Sequence, residues 1–185
     1  KSILCGILFC MEHFGIIFVG LLGIVLGSFL NVLVLRYNTG RGISGRSMCF
    51  SCGTHLRWFE LVPVLSFVFL RGRCHTCGAK ISFQYPLVEI CSGLLFVFAF
   101  FASGLEESFS NQSLIAFSVL ALLSYLWLFV AVYDSLHKMI PRSVVWSANL
   151  IALLFVLFFH AEPLWDIALG LLGTLIPMGS SLASL

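Results

Sequence analysis

Long apolar blocks separated by polar loops dominate the sequence. Four of them approach the length of a membrane-spanning helix, which needs about 20 mostly apolar residues; they cover residues 14–35, 88–102, 114–133 and 144–159. A fifth run, residues 167–178, reaches only part of that length. Core strands would leave short alternating runs instead. The pattern therefore predicts an all-α fold, a polytopic transmembrane helical bundle of four spans and a partial fifth.

Composition points to lipid as the solvent for most of the chain. Hydrophobic residues make up 60% of the 185 residues and charged residues only 10%, whereas a soluble domain carries about 25% charged residues. The net charge of +2 does not indicate nucleic acid as a partner, because most bases lie in one loop. An anionic membrane surface is the expected electrostatic partner.

The distribution of bases predicts the orientation in the membrane, since cytoplasmic loops are enriched in Lys and Arg. The loop at 36–86 contains one acid, Glu60, and many bases: Arg36, Arg41, Arg46, Arg57, Arg71, Arg73 and Lys80. The next loop, 103–113, carries Glu106 and Glu107 and no base, and Lys138 and Arg142 follow the third block. We therefore expect residues 36–86 and 134–142 to be cytosolic.

These features divide the chain into four parts. Residues 1–13 form an N-terminal segment, and residues 14–35 form the first transmembrane helix, which we expect to be retained because it lacks the marks of a cleaved signal peptide. Residues 36–87 form a cytosolic loop domain with a zinc-type cysteine pattern. Residues 88–185 form a second transmembrane region.

Two Cys-x-x-Cys pairs lie in the large loop, Cys49 with Cys52 and Cys74 with Cys77, and a glycine follows each pair. A four-thiolate zinc site needs two such pairs brought together across a loop. A redox dithiol and structural disulfides are the alternatives, but the cytosol keeps thiols reduced. We therefore predict one zinc ion, held by these four cysteines. Because four protein ligands leave no open position, the metal would be structural.

Carboxylates at helix ends are the other candidates for chemistry. Asp134 lies where the third block leaves the membrane, and Glu89 lies near the start of the second. Either residue could instead mark a helix end or favour the helix dipole. His137 follows Asp134 closely, whereas Asp166 lies on the opposite membrane face in this topology. On residue chemistry alone Asp134 is a candidate catalytic acid and no more.

Several motifs together resemble the bacterial type IV prepilin leader peptidases. Gly27-Ser28-Phe29-Leu30-Asn31 in the first block is similar to their N-terminal signature, the two cysteine pairs follow their loop pattern, and Tyr85-Pro86-Leu87-Val88-Glu89 closes the loop. Asp134, separated by five residues from Ile140-Pro141, is similar to the first catalytic aspartate of the family. The likeness covers roughly residues 20–141.

The resemblance implies a membrane aspartic peptidase that removes the basic leader of type IV prepilins or pseudopilins at the cytosolic face of the bacterial inner membrane. It also implies N-methylation of the new N-terminus with S-adenosylmethionine, for which no binding residues are identified here. Two carboxylates that share a proton suit such hydrolysis. The catalytic residue it assigns in this chain is Asp134.

One part of the family pattern is missing. The second catalytic aspartate of the family lies in a Gly-x-Gly-Asp motif, and residues 178–182 read Met-Gly-Ser-Ser-Leu where it would be expected. We therefore expect a C-terminally incomplete member that is inactive as a peptidase alone. The alternative is a non-catalytic membrane remnant whose zinc loop binds pilin leaders or secretion components.

Overall fold

The computed structural model describes residues 2–37, 39, 45–106 and 108–159, with side chains from residue 13 to residue 157 within these ranges. This part of the chain is helical and contains no strand longer than an isolated bridge. Its elements are α1 (Ser2–Arg36), a 3₁₀ helix (Trp58–Leu61), α2 (Leu65–Phe69), α3 (Gln84–Ala102), α4 (Asn111–His137) and α5 (Arg142–Phe159). The all-α prediction is confirmed.

Three described helices are long and apolar enough to cross a membrane: His13–Arg36 within α1, Gln84–Ala102 and Asn111–His137. At 1.5 Å per residue they are about 28 to 40 Å long, and the hydrocarbon core is about 30 Å thick. The apolar stretch described in α5, Arg142–Leu157, is shorter. Three of the four predicted spans thus coincide with helices that are long and apolar enough to cross a membrane. The fourth stays a prediction, and the partial fifth at 167–178 lies outside the described residues.

Both ends of α4 are set by residues next to them in the sequence. Ser110 caps α4, because its hydroxyl accepts the Ser113 N–H at 3.1 Å while the Ser113 hydroxyl accepts the Ser110 N–H at 3.0 Å. The helix ends at Lys138, which adopts the left-handed conformation with φ 55° and donates its N–H to the Asp134 carbonyl. Pro141 then separates α4 from α5, since its ring cannot continue a helix.

Small residues let α1 and α3 pack closely in antiparallel directions. A Cβ on Gly27 would lie 2.7 Å from Ser92 Cβ and 2.9 Å from Glu89 Cα, and one on Gly23 would lie 2.9 Å from Gly93 Cα. Backbones in membranes approach in this way when glycine lines the contact. The face that contains Gly23 and Gly27 is therefore the buried face of α1.

Contacts group Lys1–Ala148 into one compact unit, and Asn149–Phe159 is the described part of a second. In the first unit, one apolar cluster surrounds Phe96 and Phe100, and a second surrounds Leu30 and Phe129 nearer the large loop. The opposite face of α3 is exposed along a helical stripe: Leu87, Ile90, Leu94 and Phe98. A stripe of this kind suits contact with lipid.

Candidate functional site

The two cysteine pairs lie in two turns with the same backbone geometry, here named the first knuckle (residues 48–56) and the second knuckle (residues 73–81). Each is closed by an antiparallel bridge, Met48 with His55 and Arg73 with Lys80. Each also closes by a hydrogen bond of 2.9 Å from the glycine N–H to the first cysteine carbonyl. Gly53 and Gly78 have φ of 69° and 71°, a region that favours glycine.

The four predicted sulfur atoms come together. The Sγ atoms of Cys49, Cys52, Cys74 and Cys77 all lie within 4.8 Å of one another, and those of Cys49 and Cys77 are 3.9 Å apart. Four sulfurs at about 2.3 Å from a tetrahedral zinc ion lie about 3.8 Å from one another, whereas a disulfide needs about 2 Å. The donor set therefore fits a tetrahedral thiophilic metal ion.

Local hydrogen bonds give the thiols different acidities. The Thr54 hydroxyl, 3.4 Å from Cys52 Sγ, and then the Thr54 backbone N–H lower the pKa of Cys52 to about 6. The backbone N–H groups of Cys77 and Thr76 lower the pKa of Cys74. The Ala79 N–H lowers the pKa of Cys77, but desolvation and hydrogen bonds shared with the other thiols outweigh it and raise the pKa to about 11. At neutral pH Cys52 therefore loses its proton more readily than Cys77.

The histidines of the two knuckles lie outside the sulfur cluster. His55 and His75 are both exposed, and neither belongs to the metal-binding group found among the described residues. The His75 ring instead packs edge-on against Phe59, with ring centroids 6.2 Å apart.

Asp134 lies on the last turn of α4, with an exposed side chain. Its neighbour Tyr133 is buried and stacks on His137, with ring centroids 4.3 Å apart. Tyr133 also packs edge-on against Tyr37 at the end of α1, at 5.3 Å. The backbone that carries Asp134 is thereby held against α1 while its carboxylate faces outward.

Glu89 has a different environment from Asp134. It is buried between α1 and α3, within hydrogen-bonding reach of Ser28. Its Oε2 accepts the backbone N–H of Val64, in the large loop, at 2.7 Å. The interpretation of Glu89 as a dipole-favoured acid at a helix end therefore misses its main contact, which joins a membrane helix to the loop.

The motif residues around Glu89 form one buried polar cluster. Asn31 Nδ2 donates to the Tyr85 carbonyl at 3.3 Å. The first-block motif (residues 27–31) therefore contacts the motif that closes the loop (residues 85–89). Asn31 Oδ1 and Ser92 Oγ are buried with no partner among the described residues. In the sequence, Asn31 is marked only as part of a motif, whereas Glu89 is also a candidate acid at a helix end. Their polarity inside apolar helices is the signal that could have marked them.

One cavity of about 260 Å³ lies between the ends of α1, α4 and α5. Its lining consists of apolar and tyrosine side chains and one charged group: Leu33, Arg36, Tyr37, Tyr125, Leu126, Phe129 and Val144. The Arg36 guanidinium is the charged group of this lining. S-adenosylmethionine stays a prediction from the family resemblance, and no described residue is assigned to bind it.

The remaining candidates lie outside the described part of the chain. These are Asp166 and residues 178–182, where the second aspartate motif would be expected.

Comparisons with known proteins point in one direction. Residues 21–103 match the family described as "Bacterial Peptidase A24 N-terminal domain". A Klebsiella pneumoniae protein named prepilin leader peptidase/N-methyltransferase is 33% identical over 162 residues, which cover 83% of this chain and 67% of that protein. Proteins of the same name from Myxococcus xanthus and Bacillus subtilis are 48% identical over 81 residues and 35% identical over 124 residues.

The chain spans only part of most of these relatives. The match covers 43% of this chain and 24% of the Myxococcus protein, and 66% of this chain and 47% of the Bacillus protein. No solved structure matches this one.

Proposed function

Because the chain belongs to the bacterial prepilin leader peptidase/N-methyltransferase family, we propose that it forms the metal-holding part of a membrane peptidase acting on prepilins or pseudopilins. The observation that carries the proposal is the match to the Klebsiella relative, which extends through 83% of the chain. Support comes from the four-cysteine cluster and from Asp134 on the same compact unit. The activity, substrates and partners of the whole protein are part of this proposal.

The metal we propose is zinc, held by Cys49, Cys52, Cys74 and Cys77. The sulfur separations support it, since they suit a tetrahedral ion. With all four positions occupied by protein, the ion would supply structural stability to the loop and take no part in hydrolysis. The redox-dithiol alternative is distinguished by metal content, because a dithiol would purify without stoichiometric zinc.

For Asp134 we propose the role of one carboxylate of an aspartic pair. In such a pair the two groups share a proton, so one activates water while the other protonates the leaving amine. Exposure of Asp134 at the end of α4, on a backbone fixed through Tyr133, supports a group that reaches substrate. The sequence contains no Gly-x-Gly-Asp. We therefore propose that residues 1–185 alone do not cleave a prepilin.

The proposed location is the bacterial inner membrane, with four spans and a partial fifth. The excess of Lys and Arg supports a cytosolic position for the loop at 36–87 and for Asp134. The segments 1–13, 14–35, 36–87 and 88–185 remain our proposed division of the chain. N-methylation of the new N-terminus with S-adenosylmethionine is part of the proposal through the name of the relatives, and no described residue is assigned to it.

Co-expression with a prepilin tests the peptidase proposal. The 185-residue chain is expected to leave the leader in place, and fusion to a family C-terminal segment with Gly-x-Gly-Asp is expected to restore cleavage on a gel. Asp134→Asn in the fused protein should then reduce the rate by several orders of magnitude. Cleavage by the unfused chain, or full activity of the Asn variant, would contradict the assignment of Asp134.

Labelling with a membrane-impermeant maleimide tests the topology. The native thiols Cys52 and Cys77 are exposed on the loop, so intact cells carrying the unmodified protein should show little labelling if that loop is cytosolic. Ser108→Cys, in the loop after α3, is expected to add strong labelling, whereas Ser135→Cys is not. The reverse pattern would place the active-site end of α4 outside.

A second candidate is leader binding without cleavage. The observation that favours it is the exposure of Trp58 and Phe69 on the loop, 80% each, because exposed aromatic residues often mark interaction surfaces. Retention of a prepilin by the unfused chain, lost on Trp58→Ala and Phe69→Ala, is the expected result if binding is the function.

A further inference from the structure

The large loop contacts the membrane helices through one buried carboxylate. Glu89 lies on the second turn of α3 and is only 7% exposed. Its Oε2 accepts the Val64 N–H at 2.7 Å, across 25 residues of chain. Buried polar groups are almost always hydrogen-bonded, and this one takes its partner from the backbone of the loop. This contact therefore has the geometry of an anchor between the loop and α3.

The backbone that Glu89 holds is strained. Val64 has φ 60° and ψ −52°, a region that β-branched residues rarely enter. The Leu65 N–H donates to the Pro63 carbonyl at 2.6 Å, which closes a three-residue γ-turn around Val64. Turns of this hand are rare and strained, and such conformations persist only when the surroundings hold them. Glu89 is the group in contact with the N–H of the strained residue.

Glu89 is itself held by its neighbours on α1. Gly27 has no side chain, so α1 can approach α3 closely. A Cβ on Gly27 would lie only 2.9 Å from Glu89 Cα. Ser28 hydrogen-bonds the Glu89 side chain, and Asn31 binds the Tyr85 carbonyl at the start of α3. The carboxylate is therefore presented to the loop from a rigid contact between two membrane helices.

We propose that Glu89 is a positioning residue that fixes the four-cysteine loop to the membrane helices by holding the Val64 amide in its strained turn. This role concerns the placement of the loop and is independent of whether the chain acts on prepilins. It also explains the contact between the first-block motif and the motif that closes the loop.

Amide hydrogen exchange at Val64, measured by NMR on the full 185-residue chain in micelles, tests the proposal. Glu89→Leu removes the acceptor and is expected to accelerate exchange at Val64 by about fivefold to a hundredfold, the range that follows from leaving a buried donor without its partner. Glu89→Gln keeps an acceptor of the same reach and should remain close to the unmodified protein. Zinc content, measured in parallel, reports whether the knuckles are intact.

Two further variants separate anchoring from general damage to the helix contact. Ser92→Ala alters a side chain that is 1% exposed in the same interface and should leave Val64 exchange unchanged. Glu89→Asp keeps the charge but is one methylene too short, so it should accelerate exchange. If Glu89→Leu does not fold, the comparison of Glu89→Asp with Glu89→Gln decides. Unchanged exchange in the Leu or Asp variant, or equal acceleration in Ser92→Ala, would overturn the proposal.

Discussion

The first and second knuckles have the same turn but different surroundings. In the first, Cys49 is half-buried and the residues around it are mostly exposed. In the second, Cys74 and the preceding Gly72 are buried. The chain reaches this knuckle directly from α2, and the Gly72 N–H donates to the Phe67 carbonyl at 2.9 Å. The repeated Cys-x-x-Cys-Gly sequence thus sets the backbone of each turn. The neighbouring chain sets how deeply each turn is buried, and residues within each turn, such as Thr54, set the pKa values of its thiols.

Loss of one ligand from either knuckle is the largest expected effect. Cys49→Ser and Cys74→Ser should each reduce zinc from about one ion per chain to near zero, because a closed tetrahedral site needs both pairs. Elemental analysis of purified protein measures this. Cys91→Ser, a cysteine on α3 outside the cluster, is the matched control. Retention of zinc by one variant and not the other would show that the knuckles do not share a single ion.

Substitution at the start of each knuckle should reveal their different packing. Gly72 has φ 64°, and a Cβ there would lie 2.9 Å from the Phe67 ring, which packs edge-on against Phe83 at 5.9 Å. Gly72→Ala is therefore expected to destabilise the loop by about 2–4 kcal/mol through backbone strain and overpacking.

Ser47→Ala, at the equivalent place before the first knuckle, is the matched variant and should destabilise the loop much less than Gly72→Ala does. Zinc release to a chelator on mild denaturation measures both. Equal sensitivity of the two positions would mean that the second knuckle is no better packed than the first.

The glycines after the cysteine pairs should respond alike. A Cβ at Gly53 or Gly78 would meet nothing within 4 Å, so alanine there carries only the cost of a left-handed conformation, about 1–2 kcal/mol. This corresponds to zinc binding weaker by about five- to thirtyfold in each variant. Competition with a chromogenic chelator gives the affinities. A clear difference between the two zinc affinities would show that the two turns are not equivalent.

The smallest expected effect concerns thiol acidity in the metal-free loop. Thr54→Ala removes the hydroxyl that lowers the pKa of Cys52, so that pKa should rise and the thiolate fraction at pH 7 should fall. Ala79→Thr places a hydroxyl at the equivalent position and should lower the pKa of Cys77. Alkylation rates across pH 5–9, resolved by mass spectrometry, report both. Unchanged titration of Cys52 in Thr54→Ala would exclude Thr54 as the cause.

Some of these features follow from the sequence and others do not. The cysteine cluster is predictable, because Cys-x-x-Cys-Gly turns around a metal within a few residues. The three spans are predictable from apolar length alone. The contact of Glu89 with Val64 is not, since it depends on a strained turn formed by Pro63–Leu65 and on the close approach of α1 at Gly27. The role of Asp134 stays a prediction, because the sequence contains no Gly-x-Gly-Asp motif that would supply the paired carboxylate.

The close contact of α1 with α3 also bears on how the loop assembles. α1 ends at Arg36 and α3 begins at Gln84, so the contact between these two helices holds both ends of the loop in place. Closing a free segment of this length costs on the order of 3 kcal/mol of chain entropy. Once the helices have inserted, capture of the ion no longer has to overcome that loss. The bilayer would thus act as a template for metal loading, and the same loop excised as a peptide would bind zinc more weakly than it does between its helices.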